Sequence, residues 1–138
     1  MRQFGVATTR REEFVDITPQ VAQALAESGL AEGALLVYSP HTTAGVTINE
    51  GADPDVKRDM LAHLAALVPQ EGGKADFRHA EGNSDAHIKT SLMGPSQLVP
   101  VSGGRLQLGT WQKIYLCEFD GPRRRTVLVQ TLGAGAGA

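Results

Sequence analysis

The chain of 138 residues has a single cysteine, few aromatic residues (5%) and almost no net charge, at −2 with histidine neutral. One cysteine cannot close an internal disulfide, which suits a reducing compartment and predicts a cytoplasmic protein. No apolar run reaches the roughly 18 residues a membrane span needs. No charged-start, apolar-middle leader is visible, so no signal peptide is expected. With 13 basic against 15 acidic residues, no positive field is available for sequence-independent nucleic-acid binding. No Gly-x-Ser-x-Gly elbow, Walker loop, dinucleotide fingerprint or His-Glu-x-x-His zinc motif occurs. The scarcity of aromatics leaves Val, Leu, Ile and Ala to build the core of what is, by length, one domain.

Glycine, by contrast, is abundant, at 16 residues. Three belong to the closing Gly-Ala repeat over 133–138, which has nothing to bury and is expected to fray. The others mostly punctuate segments. Short strands are expected near 2–8 and 13–17. Thr18-Pro19 predicts a helix with Thr18 as N-cap, ended by Gly29 or Gly33. Strands follow at 34–38 and 44–49. Asp53-Pro54 opens a second helix whose apolar face holds Val56, Met60, Leu61, Leu64, Leu67 and Val68. A short third helix starts at Asn83 or Ser84 and ends before Gly94-Pro95. The last third is β-rich: strands at 98–101 and 105–108 flank a Ser102-Gly103-Gly104 hairpin turn, and strands at 113–119 and 124–132 flank a turn at Asp120-Gly121-Pro122. No linker interrupts the pattern. It predicts a single compact α+β domain over 1–132, a mainly antiparallel sheet with two or three helices packed on one face.

Three segments carry candidate chemistry. In the first, His41, Thr42 and Thr43 follow a buried strand, with Glu50 and Asp53 further on. A loop histidine beside threonines that cap local backbone groups is the competing reading. The second, over 79–89, combines His79, Glu81, Asn83, Ser84, Asp85, His87 and Lys89 at a helix start. Unpaired first-turn amides there suit an anion, and Lys89 one turn in could meet a phosphate. The competing reading is ordinary capping by Ser84 with Asp85 complementing the helix dipole. The third pairs Trp111 and Gln112 with Glu118 and with Asp120 and Arg123. Glu118, in an apolar strand, is either solvated or paired, and Asp120 with Arg123 could bridge their turn. His63 reads as a surface residue at the edge of the second helix's stripe, and Cys117 as an inert buried thiol.

Taken in order, HTTAGVTINE from His41, ADPDV with Asp59 beyond it, HAEGNSDAHIKTSLMGPS from His79 and LQLGTWQKIYLCEFDGPR from Leu106 resemble the YjbQ-like family, associated with secondary thiamine-phosphate synthase activity. The likeness spans about residues 34–130. Gly45 departs from it where Ala is common, and Gly51 where Asn is common. The resemblance implies a YjbQ-like α+β subunit that forms a homotrimer. It implies a site around His41-Thr42-Thr43 and the 82–87 segment, with a divalent metal such as Zn or Mg held by His41, His79 and His87. The implied reaction joins a pyrimidine diphosphate to a thiazole phosphate and releases pyrophosphate. Lys89 and the helix start would neutralise the leaving group, and Glu50, Asp53 and Glu118 would act as base or orient a histidine. Thr42, Thr43, Asn83, Ser84, Asp85, Trp111, Gln112 and Arg123 would bind substrate. Metal-dependent hydrolysis of a phosphorylated or acyl metabolite, and a non-catalytic trimeric metal- or metabolite-binding role, are the alternative readings.

Overall fold

The computed structural model describes residues 1–73 and 75–133, so the expected Gly-Ala tail lies outside the described residues from 134 onward. In chain order the elements are β1 (Arg2–Ala7), β2 (Glu13–Asp16), α1 (Thr18–Ser28), β3 (Gly33–Tyr38), β4 (Ala44–Glu50), α2 (Pro54–Leu67), α3 (Ser84–Met93), β5 (Ser96–Ser102), β6 (Arg105–Leu106), β7 (Gln112–Glu118) and β8 (Arg124–Leu132). The architecture is the expected α+β domain. Its antiparallel strands divide into a five-stranded sheet, β1-β8-β3-β5-β6, and a three-stranded sheet, β2-β7-β4.

The period-2 alternation of side chains explains the layering. Leu35 and Val37 of β3, Val99 and Val101 of β5, and Val127 and Val129 of β8 turn inward. They meet Val46 of β4, and Ile114 and Leu116 of β7, in the main core, which α1 completes with Val21, Ala24 and Leu25. The intervening residues of β7, Tyr115 and Cys117, face the opposite way and join Phe14, Ala86 and Phe119 in a second core. Met60, Leu61 and Leu64 of α2 and Met93 of α3 cover that side. β7 is thus buried on both faces, which accounts for its nearly continuous apolar sequence. The outer face of the five-stranded sheet presents Leu36, Tyr38, Leu98 and Leu128, with Leu98 60% exposed.

Local signals placed the elements well, with informative exceptions. Asp53 caps α2 as expected, its carboxylate accepting the Asp55 N–H at 2.9 Å. At α1 the N-cap is Ile17 rather than Thr18. The Thr18 hydroxyl instead accepts the N–H of Ile114 in β7 at 2.8 Å, because β2 ends at Asp16 and leaves that donor without a strand partner. Asn83 is the N-cap of α3, but neither its side chain nor that of Ser84 makes a capping hydrogen bond. α2 lies shallow: none of its residues is fully buried, and Leu67, expected on its apolar face, is 62% exposed. Gly103 and Gly104 both adopt positive φ, at 58° and 72°, which a two-residue hairpin turn between β5 and β6 requires. The turn at Asp120-Gly121-Pro122 carries the chain from the three-stranded to the five-stranded sheet.

Candidate functional site

The β4–β7 ladder defines two ends. Ala44 pairs with Glu118 at one, and Glu50 with Gln112 at the other. At roughly 3.3 Å per residue, six residues separate the ends by about 20 Å. The loop before β4, the start of α3, the 120–123 turn and the start of β8 all gather at the Ala44–Glu118 end.

They enclose a cleft of about 400 Å³. The loop contributes Pro40, His41, Thr42 and Thr43; the approach to α3 and its first turns contribute His79, Glu81, Asn83 and His87; the turn and β8 contribute Asp120, Arg123 and Arg125. The structure therefore brings seven of the sequence-derived candidates together: His41, Thr42, Thr43, His79, Asn83, His87 and Arg123.

A buried ion pair forms the floor. Glu118 is fully buried and Arg125 is 5% exposed. Nε of Arg125 donates to Glu118 Oε1 at 2.9 Å, and an Nη2 contact to Oε2 completes a bidentate pair. Glu118 also accepts from the Thr8 hydroxyl at 2.7 Å and from the Asp120 N–H at 3.1 Å. Arg125 Nη2 donates to the Thr43 hydroxyl at 2.8 Å. The carboxylate on β7 thus ties the segment after β1, the 120–123 turn and β8 together, and it is paired rather than solvated. Gly121 makes the approach possible. A Cβ there would stand 2.2 Å from the Arg10 carbonyl oxygen, so no other residue fits without backbone movement.

His41 is held by the same corner. Its Nε2 accepts the Thr126 N–H at 2.9 Å, so the neutral ring carries its proton on Nδ1 and that atom is a donor. Burial pushes the His41 pKa below its usual value, and the nearby Arg125 charge adds to this, while Glu118 partly opposes it. His79 and His87 stand edge to face with ring centroids 5.4 Å apart. Asp120 is shared: Asn83 Nδ2 donates to its Oδ2 at 2.7 Å, and Arg123 bridges to its Oδ2 and backbone oxygen at 3.1 and 2.8 Å. The Asp120–Arg123 pairing expected across the turn is present. Charges in the cleft wall nearly balance, with Glu81 and Asp120 set against Arg123 and Arg125. Binding there depends on placed donors rather than on a net field. The amide oxygen of Asn83 is buried without a partner.

Other candidates lie elsewhere. Lys89 is 1% exposed, and its ammonium donates to Asp85 at 2.9 Å and Glu12 at 3.0 Å. Arg11 closes on Asp85 with bonds of 3.0 and 3.3 Å. Asp85 and Lys89 thus clamp α3 to the β1–β2 connection, because a buried ammonium needs carboxylates around it. Ser84 lies in a neighbouring groove. Glu50, Asp53, Trp111 and Gln112 sit at the far end of the ladder, where Trp111 is 62% exposed. His63 is exposed, as expected. Cys117 is fully buried, and burial raises its thiol pKa well above the usual range, so it is unreactive.

Sequence reasoning missed Arg125. Its signal was the alternation of β8, in which Arg125, Val127 and Val129 share the inward face; an arginine on a buried face demands a carboxylate. It also missed Arg11 and Glu12, which only the tertiary contact with α3 defines. Among the described residues, no group of three or more His, Cys, Asp or Glu side chains stands close enough together to hold a metal ion. Among the described residues, no helix is long and apolar enough to cross a membrane.

A small α+β domain with a histidine- and arginine-lined cleft at one end of a buried three-stranded sheet is the class this geometry defines. The chain belongs to the UPF0047 (YjbQ-like) family, whose model matches residues 2–134. It is 53% identical over 133 residues to the UPF0047 protein YugU of Bacillus subtilis, covering 96% of this chain and 99% of that one. It is 50% identical over 131 residues to the UPF0047 protein MJ1081 of Methanocaldococcus jannaschii, covering 95% and 93%. Among solved structures, an uncharacterized YjbQ/UPF0047 family protein from Clostridium acetobutylicum superimposes with a TM-score of 0.91 at 50% identity, covering 96% of this chain and all of that one. The conserved hypothetical protein TT1486 of Thermus thermophilus gives 0.87 at 46% identity, with coverages of 96% and 100%.

Proposed function

We propose that the chain is a small-metabolite enzyme acting on phosphorylated substrates in the His41–His87–Arg123 cleft, with thiamine-phosphate synthase-type chemistry. The observation that carries this reading is the convergence of three imidazoles, two guanidinium groups and the Thr42 and Thr43 hydroxyls on one concavity. In the reaction, the thiazole ring nitrogen attacks the methylene carbon of the pyrimidine diphosphate. The carbon–oxygen bond breaks, and pyrophosphate departs with the electron pair. The developing charge needs donors fixed in advance. Arg123 is half-exposed at the cleft mouth and spends only part of its guanidinium on Asp120. Arg125, locked by Glu118, fixes the floor. His41, neutral with Nδ1–H free to donate, acts as a hydrogen-bond donor rather than a base.

For a divalent ion, Zn or Mg, the arrangement offers no three-imidazole seat, since the Nε2 of His41 is already taken by Thr126. We propose that an ion in the cleft meets His79 and His87. An imidazole pair suits zinc better than magnesium, which takes oxygen ligands. No step is assigned to it.

We also propose that the protein is cytoplasmic and assembles as a homotrimer. A cyclic trimer needs two different patches on each subunit. The uncovered sheet face around Leu36, Leu98 and Leu128 is one such patch, and the exposed Trp111 with its polar surroundings at the far end is the other. A neighbouring copy is then the only route by which Glu50, Asp53, Trp111 or Gln112 reaches a cleft.

The test is pyrophosphate release from the two phosphorylated heterocycles. His87→Ala and Arg123→Ala are each expected to lower kcat/KM by about 100-fold, the scale of one lost electrostatic contact in a transition state. Unchanged turnover in both would sink the proposed site. Full turnover after metal removal would leave the ion out of the reaction. Substrate binding with no turnover would favour the non-catalytic binding role.

A further inference from the structure

The cleft is not isolated. A second concavity of about 530 Å³ adjoins it, and the two share His79 and His87 as a common wall. The second is built differently. Phe77 and Ile88 supply its lining, Ser84 stands at its edge, and Asp76 and Arg78 close its rim through an exposed ion pair at 3.6 Å. Ile88 is 39% exposed although it lies on α3 one residue from His87. The Phe77 ring packs on the backbone of Gly72, where a Cβ would come within 3.0 Å of it. An apolar floor, a charged rim and a polar chamber next door are the ingredients of a small-molecule site with two chemically distinct halves.

We propose that the cleft and the Phe77–Ile88 groove form one bipartite site for a small organic phosphate that carries a flat, largely apolar ring. The phosphate lies toward Arg123 in the cleft, and the ring lies on Phe77 and Ile88. The His79–His87 pair stands where the two halves of the ligand join, so the bond between ring-bearing carbon and phosphate oxygen passes the imidazoles. The inference rests on reading the cleft as a phosphate site and adds where the ring of the ligand lies. The occupant of the groove is the ligand's own ring, because the two concavities adjoin at the shared histidines.

Calorimetry on the full chain with inorganic phosphate and with phenyl phosphate tests it. Phenyl phosphate is expected to bind about tenfold more tightly than inorganic phosphate, the gain from burying much of one ring face. The double variant Phe77→Ala, Ile88→Ala touches only side chains outside both cores. It is expected to cut that advantage to about twofold or less while inorganic phosphate binds as before. Arg123→Ala is expected to weaken both ligands. If inorganic phosphate binds but phenyl phosphate gains nothing, or if the gain survives in the double variant, the bipartite site is wrong and the phosphate cleft stands. If neither ligand binds, the cleft reading fails and this inference with it. If the double variant leaves binding intact but changes the sedimentation coefficient, the groove holds a second copy of the chain and the proposal is overturned.

Discussion

The two ends of the β4–β7 ladder differ in how they treat charge. At the Ala44–Glu118 end, carboxylates and cations are taken out of water and spent on one another: Glu118 on Arg125, and Asp85 on Arg11 and Lys89. At the Glu50–Gln112 end, polar groups stay at the surface. Asp53 caps a helix, Gln112 accepts the Gly109 N–H at 2.8 Å, and Trp111 faces outward. Buried pairs hold a geometry because either partner alone is intolerable, whereas exposed groups tolerate loss. The cleft lies at the end whose geometry is held that way, which is what a preorganised site requires.

The largest expected effect is at Glu118. Glu118→Ala leaves Arg125 buried and unpaired and should cost about 3–5 kcal/mol. Gln112→Ala, at the opposite end of the same strand, should cost no more than about 0.5 kcal/mol. Urea denaturation of both variants measures the contrast, and equal costs would erase it.

Next comes Asp85. Burial pushes its carboxyl pKa up, but the hydrogen bonds and charges of Arg11 and Lys89 outweigh burial and hold it below the ordinary range. A folded pKa below the unfolded value of about 3.9 gives stability that is present above that pH. This stability is lost as pH falls through the folded value. Asp85→Asn should lower stability at neutral pH and flatten the acid limb below about pH 4. An acid limb unchanged by Asp85→Asn would place the acid sensitivity elsewhere.

The smallest effect on the protomer is expected at the far end and on the open sheet face. Trp111→Ala should change unfolding by no more than about 0.5 kcal/mol. In sedimentation, Trp111→Ala and Leu98→Asp should each shift the assembly toward monomer. Assemblies that persist in both variants would remove these patches from the proposed trimer contact.

Much of the fold was legible because its signals are local. Asp53-Pro54 capped α2, Gly29 ended α1, and Gly103-Gly104 turned the β5–β6 hairpin, each through backbone geometry that neighbouring residues set. The candidate site was half legible. His41, His79 and His87 stood out by type and do meet at one cleft. Lys89 also stood out by type, yet a lysine near a helix start has the same local signature whether it faces a ligand or Asp85 and Glu12. Glu50, Asp53, Trp111 and Gln112 were close to the other motif residues along the chain, but an antiparallel strand carries its two ends about 20 Å apart.

The amino-acid sequence alone determined the element types, the apolar run of β7, and the residues able to do chemistry. These follow from period, capping and side-chain pKa, which are properties of short segments. The tertiary structure alone decided which of those residues share a cleft, that Arg125 underlies it, and that Asp85 and Lys89 are clamped beneath α3. The contacts that hold α3 join residues more than 70 positions apart, as Arg11 with Asp85 and Lys89 with Glu12. No local pattern encodes a distance of that kind.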